Sequence, residues 1–196
     1  MIQISPQVIK GNWDAGYALD KHSLSSECIS YNEYGYPQFD TKYSPLGELI
    51  VQLKYRNNLA VLDAIVDTIV SFIKYKWLIY IDLILPTPPS KTDRLVQPVE
   101  VMADRVGRIL KVEVSNNVLK KVKDTKQLKS ITDQQERTNI LKDAFQIVDR
   151  ATENKNILLL DDLYDSGTTL NIITGVLKKY GKPNKVYILA CTKTRV

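Results

Sequence analysis

Residues 157–170 read ILLLDDLYDSGTTL, and the order of residue types in that stretch decides the fold. Four consecutive apolar residues, Ile157 to Leu160, suit a strand buried on both faces, as in parallel sheets covered by helices. Two carboxylates, Asp161 and Asp162, follow where the chain would leave the sheet. Asp165-Ser-Gly-Thr-Thr169 then supplies a small turn into a helix predicted over 168–180, whose Leu170, Ile173 and Leu177 share one face. Gly181 stops that helix, and Lys185 to Cys191 reads as the next strand. Strand, helix, strand predicts a parallel right-handed crossover. In such sheets ligands bind outside the carboxyl ends of the strands.

Upstream, Tyr80 to Leu85 reads as a short buried strand stopped by Pro86-Thr-Pro-Pro89. Pro98 suits the first turn of a helix that buries Val99, Met102, Ala103, Val106 and Ile109. From Pro45, the spacing of Leu46, Leu49, Ile50 and Leu53 predicts one amphipathic helix, and that of Leu59, Leu62, Val66, Ile69 and Ile73 a second. Val112 to Leu119 reads as one strand or two short ones, and the basic stretch 120–131, KKVKDTKQLKSI, as a mobile loop. Thr132 to Gln135 has capping-box spacing, predicting a short helix to about Leu141, and 144–148 a strand. Residues 1–44, rich in Tyr, Gly, Ser and Asn, read as short strands and turns, an elaboration preceding a main domain over 45–196.

The composition, 44% apolar and 25% charged, is that of a globular chain. Its apolar runs fall short of the roughly 20 residues that span a bilayer, and the N-terminus lacks the pattern of a secretory signal, so no membrane partner and a cytoplasmic location are expected. Cys28 and Cys191 match no metal-ligand spacing. The net charge of +5 is uneven, with 7 Lys/Arg against 8 Asp/Glu in residues 1–80 and 20 against 14 thereafter. That excess suits a phosphorylated small molecule and leaves nucleic acid open as a partner.

The chemistry of 161–169 is specific. Adjacent carboxylates can accept hydrogen bonds from the vicinal hydroxyls of a ribose, and hydroxyls beside a helix N-terminus form an anion site that suits a phosphate. No Gly-rich P-loop sequence occurs anywhere in the chain.

Four apolar positions, two acids, two spacers and then acid-Ser-Gly-Thr-Thr resemble the signature of type I phosphoribosyltransferases. The resemblance implies an α/β fold with a mostly parallel sheet flanked by helices, a small N-terminal elaboration and a mobile hood loop. It implies that Asp161 and Asp162 hold the 2- and 3-hydroxyls of phosphoribosyl diphosphate, and that Asp165, Ser166, Gly167, Thr168 and Thr169 hold its 5-phosphate. The Pro86 to Arg94 turn falls where the family places its diphosphate loop, with Thr87, Pro88, Lys91 and Arg94 as candidates. Lys121, Lys123 and Lys126 fall on the hood, and Arg137 beyond it is either a phosphate ligand or a surface residue.

Tyr164 replaces the commoner aliphatic residue, as in the ComF-like subgroup, and Leu-Lys-Tyr-Arg at 53–56 and Ile84 to Pro88 are similar to that subgroup's lead-in and first core strand. The chain departs from it in having no four-cysteine zinc ribbon and a looser spacing between Gln127 and Asn139. The implied reaction transfers the phosphoribosyl group to a nitrogen nucleophile (nucleobase, ammonia or amine) and releases pyrophosphate. Mg²⁺ would be held mainly by substrate and water, with Asp161 and Asp162 as the candidate protein contacts. A homodimer is compatible with this reading. The alternatives are a non-catalytic phosphoribosyl diphosphate-binding regulator and a competence-type accessory of DNA uptake. His22, the only histidine, reads as a packing or surface residue before a general base, and Trp13 as core.

Overall fold

The quoted stretch lies at the centre of the sheet. In the computed structural model, which describes residues 2–89, 94, 96–122, 144–148 and 150–194, strand β9 (Asn156–Tyr164) has β10 (Lys185–Lys193) on one side and β5 (Leu83–Pro86) on the other, both parallel to it. Strand β2 (Ala15–Lys21) continues the sheet beyond β10 in parallel, β1 (Gln7–Val8) closes that edge antiparallel, and β6 (Glu113–Val114) closes the other, giving the order β1-β2-β10-β9-β5-β6.

Both faces of β9 are buried, which is why its apolar run is continuous rather than alternating. Ile157 and Leu159 pack against Leu170, Ile173 and Leu177, from helix α4 (Thr168–Val176) and the π-helical turn that extends it to Gly181. Leu158 and Leu160 face the layer made by α1 (Pro45–Tyr55), α2 (Leu62–Phe72) and α3 (Pro98–Leu110). The α/β architecture with helices on both faces of a mostly parallel sheet is thus the one expected.

The helices begin where the sequence signals them. Ser44 caps α1, its Oγ accepting from the Gly47 N–H at 3.0 Å, and Pro45 and Pro98 stand in the first turns of α1 and α3. Two residues expected inside lie outside: Leu59 is 50% and Ile109 44% exposed. Leu59 belongs to a 3-10 turn before α2, so its face differs from that of the helix. Ile109 lies in the last turn of α3, next to the left-handed Lys111 that ends it.

The stretch before residue 45 divides. Its first part supplies β1 and β2 to the main sheet, and Trp13 is buried there with its indole N–H donating to the Ile9 carbonyl. Its second part is an antiparallel hairpin of β3 (Ser23–Tyr31) and β4 (Pro37–Tyr43), which leaves Ile29, Tyr34, Tyr36 and Phe39 exposed. The stretch read as one strand or two holds β6 and the start of β7 (Leu119–Lys121), which pairs antiparallel with β8 (Phe145–Ile147) in a separate two-stranded sheet. Lys120 and Lys121, expected in the mobile loop, are in β7; the rest of that loop and the helix expected from 132 lie outside the described residues. No helix among the described residues is long and apolar enough to cross a membrane.

Candidate functional site

The acid pair sits at a step in the sheet edge. Strand β5 pairs with β9 only as far as Pro86 opposite Leu160, whereas β10 accompanies β9 to Lys193 opposite Tyr164. The apolar run predicts a strand that ends at Leu160; pairing with β10 carries it four residues further. Asp161 and Asp162 therefore lie within the strand, in the part that has lost its β5 neighbour. Successive strand residues point to opposite faces, so the two carboxylates have different surroundings.

Asp161 receives Thr87: the Thr87 hydroxyl donates to its Oδ1 at 2.7 Å, and the Asp162 N–H donates to the same oxygen at 2.9 Å. Burial, with Asp162 adding repulsion, pushes the Asp161 carboxyl up to about 7, against the lowering effect of these donors. Asp162 faces α1, where Lys54 Nζ lies 2.5 Å from its Oδ2, with both side chains largely buried. Behind it, the Thr192 hydroxyl donates to the Asp162 carbonyl at 3.2 Å. Since that hydroxyl has spent its proton, it accepts from His22 Nδ1, 3.0 Å away. Burial and then Lys54 lower the His22 pKa, so the ring is neutral near pH 7. Cys191, fully buried between α3 and this edge, has its thiol pushed well up by burial and then by the two acids, and is chemically quiet.

Beyond Tyr164 the chain turns into α4 through Asp165, Ser166 and Gly167. Gly167 is the N-cap at φ 74° and has no side chain with which to cap the first-turn N–H groups. The Ser166 and Thr168 hydroxyls lie 2.9 Å apart, and the Thr194 hydroxyl holds Asp165 at 2.7 Å. Gly167 is required twice over, by its positive φ and because a Cβ there would stand 2.6 Å from the Tyr164 hydroxyl. Gly167→Ala is expected to destabilise the fold by about 1–2 kcal/mol, read from urea melts.

Thr87, Pro88, Arg94, Lys54 and residues 161–170 line one cavity of about 260 Å³. It brings together the residues expected to hold ribose and 5-phosphate with three of the expected diphosphate contacts, Thr87, Pro88 and Arg94. Thr87 takes a different part from the one expected: its N–H donates to the Leu160 carbonyl at 2.9 Å and its hydroxyl serves Asp161. Pro88 and Pro89 have no N–H, so the turn offers no backbone donor to a diphosphate up to residue 89. Arg94 stacks over the Tyr55 ring at 5.7 Å. Lys121, half-buried in β7, is not in the cavity wall, and Lys91, Lys123, Lys126 and Arg137 lie outside the described residues.

Lys54 was missed as a site residue. Its signal was present in Leu53-Lys-Tyr-Arg56, where a lysine follows a buried leucine on the sheet-facing side of a helix. Among the described residues no group of three or more His, Cys, Asp or Glu side chains is gathered as metal ligands. Asp161 and Asp162 are hard oxygen donors of the kind Mg²⁺ takes with few protein ligands and several waters. The described wall carries four carboxylates, Glu100, Asp161, Asp162 and Asp165, against Lys54 and Arg94. An anionic ligand would therefore need a cation with it.

No family model matches the chain, and no curated protein matches it. Solved structures do. Glutamine phosphoribosylpyrophosphate amidotransferase from B. subtilis superposes with a TM-score of 0.51 at 15% identity, over 82% of this chain and 34% of that one. Hypoxanthine phosphoribosyltransferase from Staphylococcus aureus gives 0.41 at 16%, over 66% and 61%. Adenine phosphoribosyltransferase from Trypanosoma brucei, in complex with AMP, pyrophosphate and ribose-5-phosphate, gives 0.48 at 14%, over 96% and 75%. The chain spans about a third of the amidotransferase and three fifths of the hypoxanthine enzyme. At these identities the likeness is one of fold, and the amidotransferase superposition carries it: the chain has the phosphoribosyltransferase fold.

Proposed function

We propose that this protein binds phosphoribosyl diphosphate with Mg²⁺ and transfers the phosphoribosyl group to a nitrogen nucleophile, releasing pyrophosphate. The observation that carries the reading is a single cavity in which the acid pair at the strand step is followed directly by the Gly167-led helix start. The 5-phosphate would sit on the first-turn N–H groups of α4 with the hydroxyls of Ser166, Thr168 and Thr169 around it. The ribose hydroxyls would donate to Asp161, whose Oδ2 receives neither of the two hydrogen bonds made to Oδ1, and to Asp162. Arg94 would serve the diphosphate, with Lys91, Lys123 and Lys126 as the candidates to join it.

Nucleophilic nitrogen attacks C1 as the C1–O bond to diphosphate breaks, the bonding pair leaving with the diphosphate and the nitrogen giving up a proton. The transition state resembles an oxocarbenium ion, as in glycosyl transfer, so the chain's main task is positioning. Asp161 and Asp162 would hold the Mg²⁺ largely through its waters; the ion, when bound, neutralises charge building on the leaving group.

Tyr164 and the 53–56 run support a ComF-like member, working in the cytoplasm, with a homodimer as the assembly to look for. The test is magnesium-dependent pyrophosphate release from phosphoribosyl diphosphate across a panel of nucleobases, ammonia and amines. Release with one of them is the expected result. Tight binding without turnover would turn the reading toward a regulator, and absence of binding would overturn it.

A further inference from the structure

We infer that Lys54 is the resident counter-cation of the acid pair, filling beside Asp162 the place a second divalent ion would take, so that the site holds a single Mg²⁺. This rests on the reading of the cavity as a ribose-phosphate site. The contact is short, 2.5 Å, and little exposed, with 16% of the Lys54 and 9% of the Asp162 side chain accessible. It is also built rather than incidental. The start of α1 is tied to the strand edge by the Ser44 hydroxyl donating to the Lys21 carbonyl at 2.5 Å. His22 N–H holds the Lys193 carbonyl at 2.7 Å, and Gly47 lies so close to the His22 carbonyl that a Cβ there would clash with it. These contacts fix the helix that carries Lys54 against the end of β2 and β10.

The two acids are served unequally. Among the described residues Asp161 accepts only from neutral donors, the Thr87 hydroxyl and the Asp162 N–H. On the other side, the remaining polar neighbours, Thr192 and His22, are committed to one another and to the Asp162 backbone. Lys54 is thus a positioning residue that fixes and neutralises Asp162, leaving Asp161 to the ligand and its ion. Without it, two carboxylates on adjacent strand residues would compete for external cations, and a second metal would be drawn in on the α1 side.

The experiment uses Mn²⁺ alone as the probe, with the full chain and no nucleotide, counting bound ion by electron paramagnetic resonance. Lys54→Met is expected to bind Mn²⁺ about tenfold or more tightly than the wild type, Lys54→Arg to behave as the wild type, and Asp162→Asn added to Lys54→Met to abolish the gain. Lys54→Gln, which keeps a donor without charge, is expected to give the same gain and replaces the Met variant if that one does not fold. Folded Lys54→Met or Lys54→Gln protein with wild-type Mn²⁺ affinity would overturn the inference. Because no phosphoribosyl ligand is present, this result stands apart from whether the wild type binds phosphoribosyl diphosphate.

Discussion

Replacing Asp161 and Asp162 together by asparagine is expected to weaken ribose 5-phosphate binding by about 100-fold or more, since each charge-assisted hydrogen bond is worth about 1.5–3 kcal/mol. The phosphate half of the site is untouched by the change. Loss must therefore come from the ribose hydroxyls, and free phosphate, which has none and is repelled by the two carboxylates, should bind the double variant no more weakly than the wild type. Calorimetry with both ligands separates the two. The variant also strands Lys54, whose ammonium would lose its counter-ion in a largely buried place. A thermal melt must accompany the titration, and Asp161→Asn alone, which keeps the Lys54 pair, provides a folded control expected to lose a smaller share of the affinity. Ribose 5-phosphate binding that survives the double change in folded protein would remove the acid pair from the site.

The centre of this fold was legible because one residue pattern answers to one physical cause. A parallel strand covered on both faces must be apolar at every position, and Ile157 to Leu160 says so. Likewise Pro45 and Gln97-Pro98 mark helix starts through local geometry alone. Non-local pairing leaves no such mark. Nothing within Ala15–Lys21 states that it will run parallel to β10, some 170 positions later in the chain, so the stretch before residue 45 read as an elaboration although its first part completes the main sheet. The same blindness hid Lys54. Apolar spacing places it on a helix, but only the tertiary fold brings its ammonium to Asp162. For Asp161 the sequence supplied the residue type, while the step in the sheet edge, which sets how it is buried, arises from the unequal lengths of β5 and β10.

That burial has a consequence for folding. Asp161 titrates near pH 7 in the folded protein against an ordinary value of 3.8, so the folded state holds a proton that the unfolded chain has already given up across that interval. For a carboxyl raised in this way, the stabilising effect is complete below the unfolded value and is lost as pH rises through the folded one. The protein should become less stable from about pH 4 to about pH 7 through this group, then level off. Each pH unit in that window is worth about 1.4 kcal/mol at most, so between pH 5 and pH 8 the loss should be about 2–3 kcal/mol.

Asp161→Asn cannot ionise and keeps an oxygen to accept from Thr87 and from the Asp162 N–H. The variant should therefore be more stable than the wild type at pH 8, with a gap that shrinks on acidification. His22, whose pKa burial lowers, is common to both proteins, so the difference between their urea-melt curves isolates Asp161. A gap that does not change with pH would mean that Asp161 is ionised throughout. In that event Asp161 would add no proton to the release on Mg²⁺ binding at pH 6.5, whereas a carboxyl held near 7, mostly protonated there, gives up most of one when it meets the cation. Calorimetric titrations in buffers of different ionisation enthalpy count that proton directly.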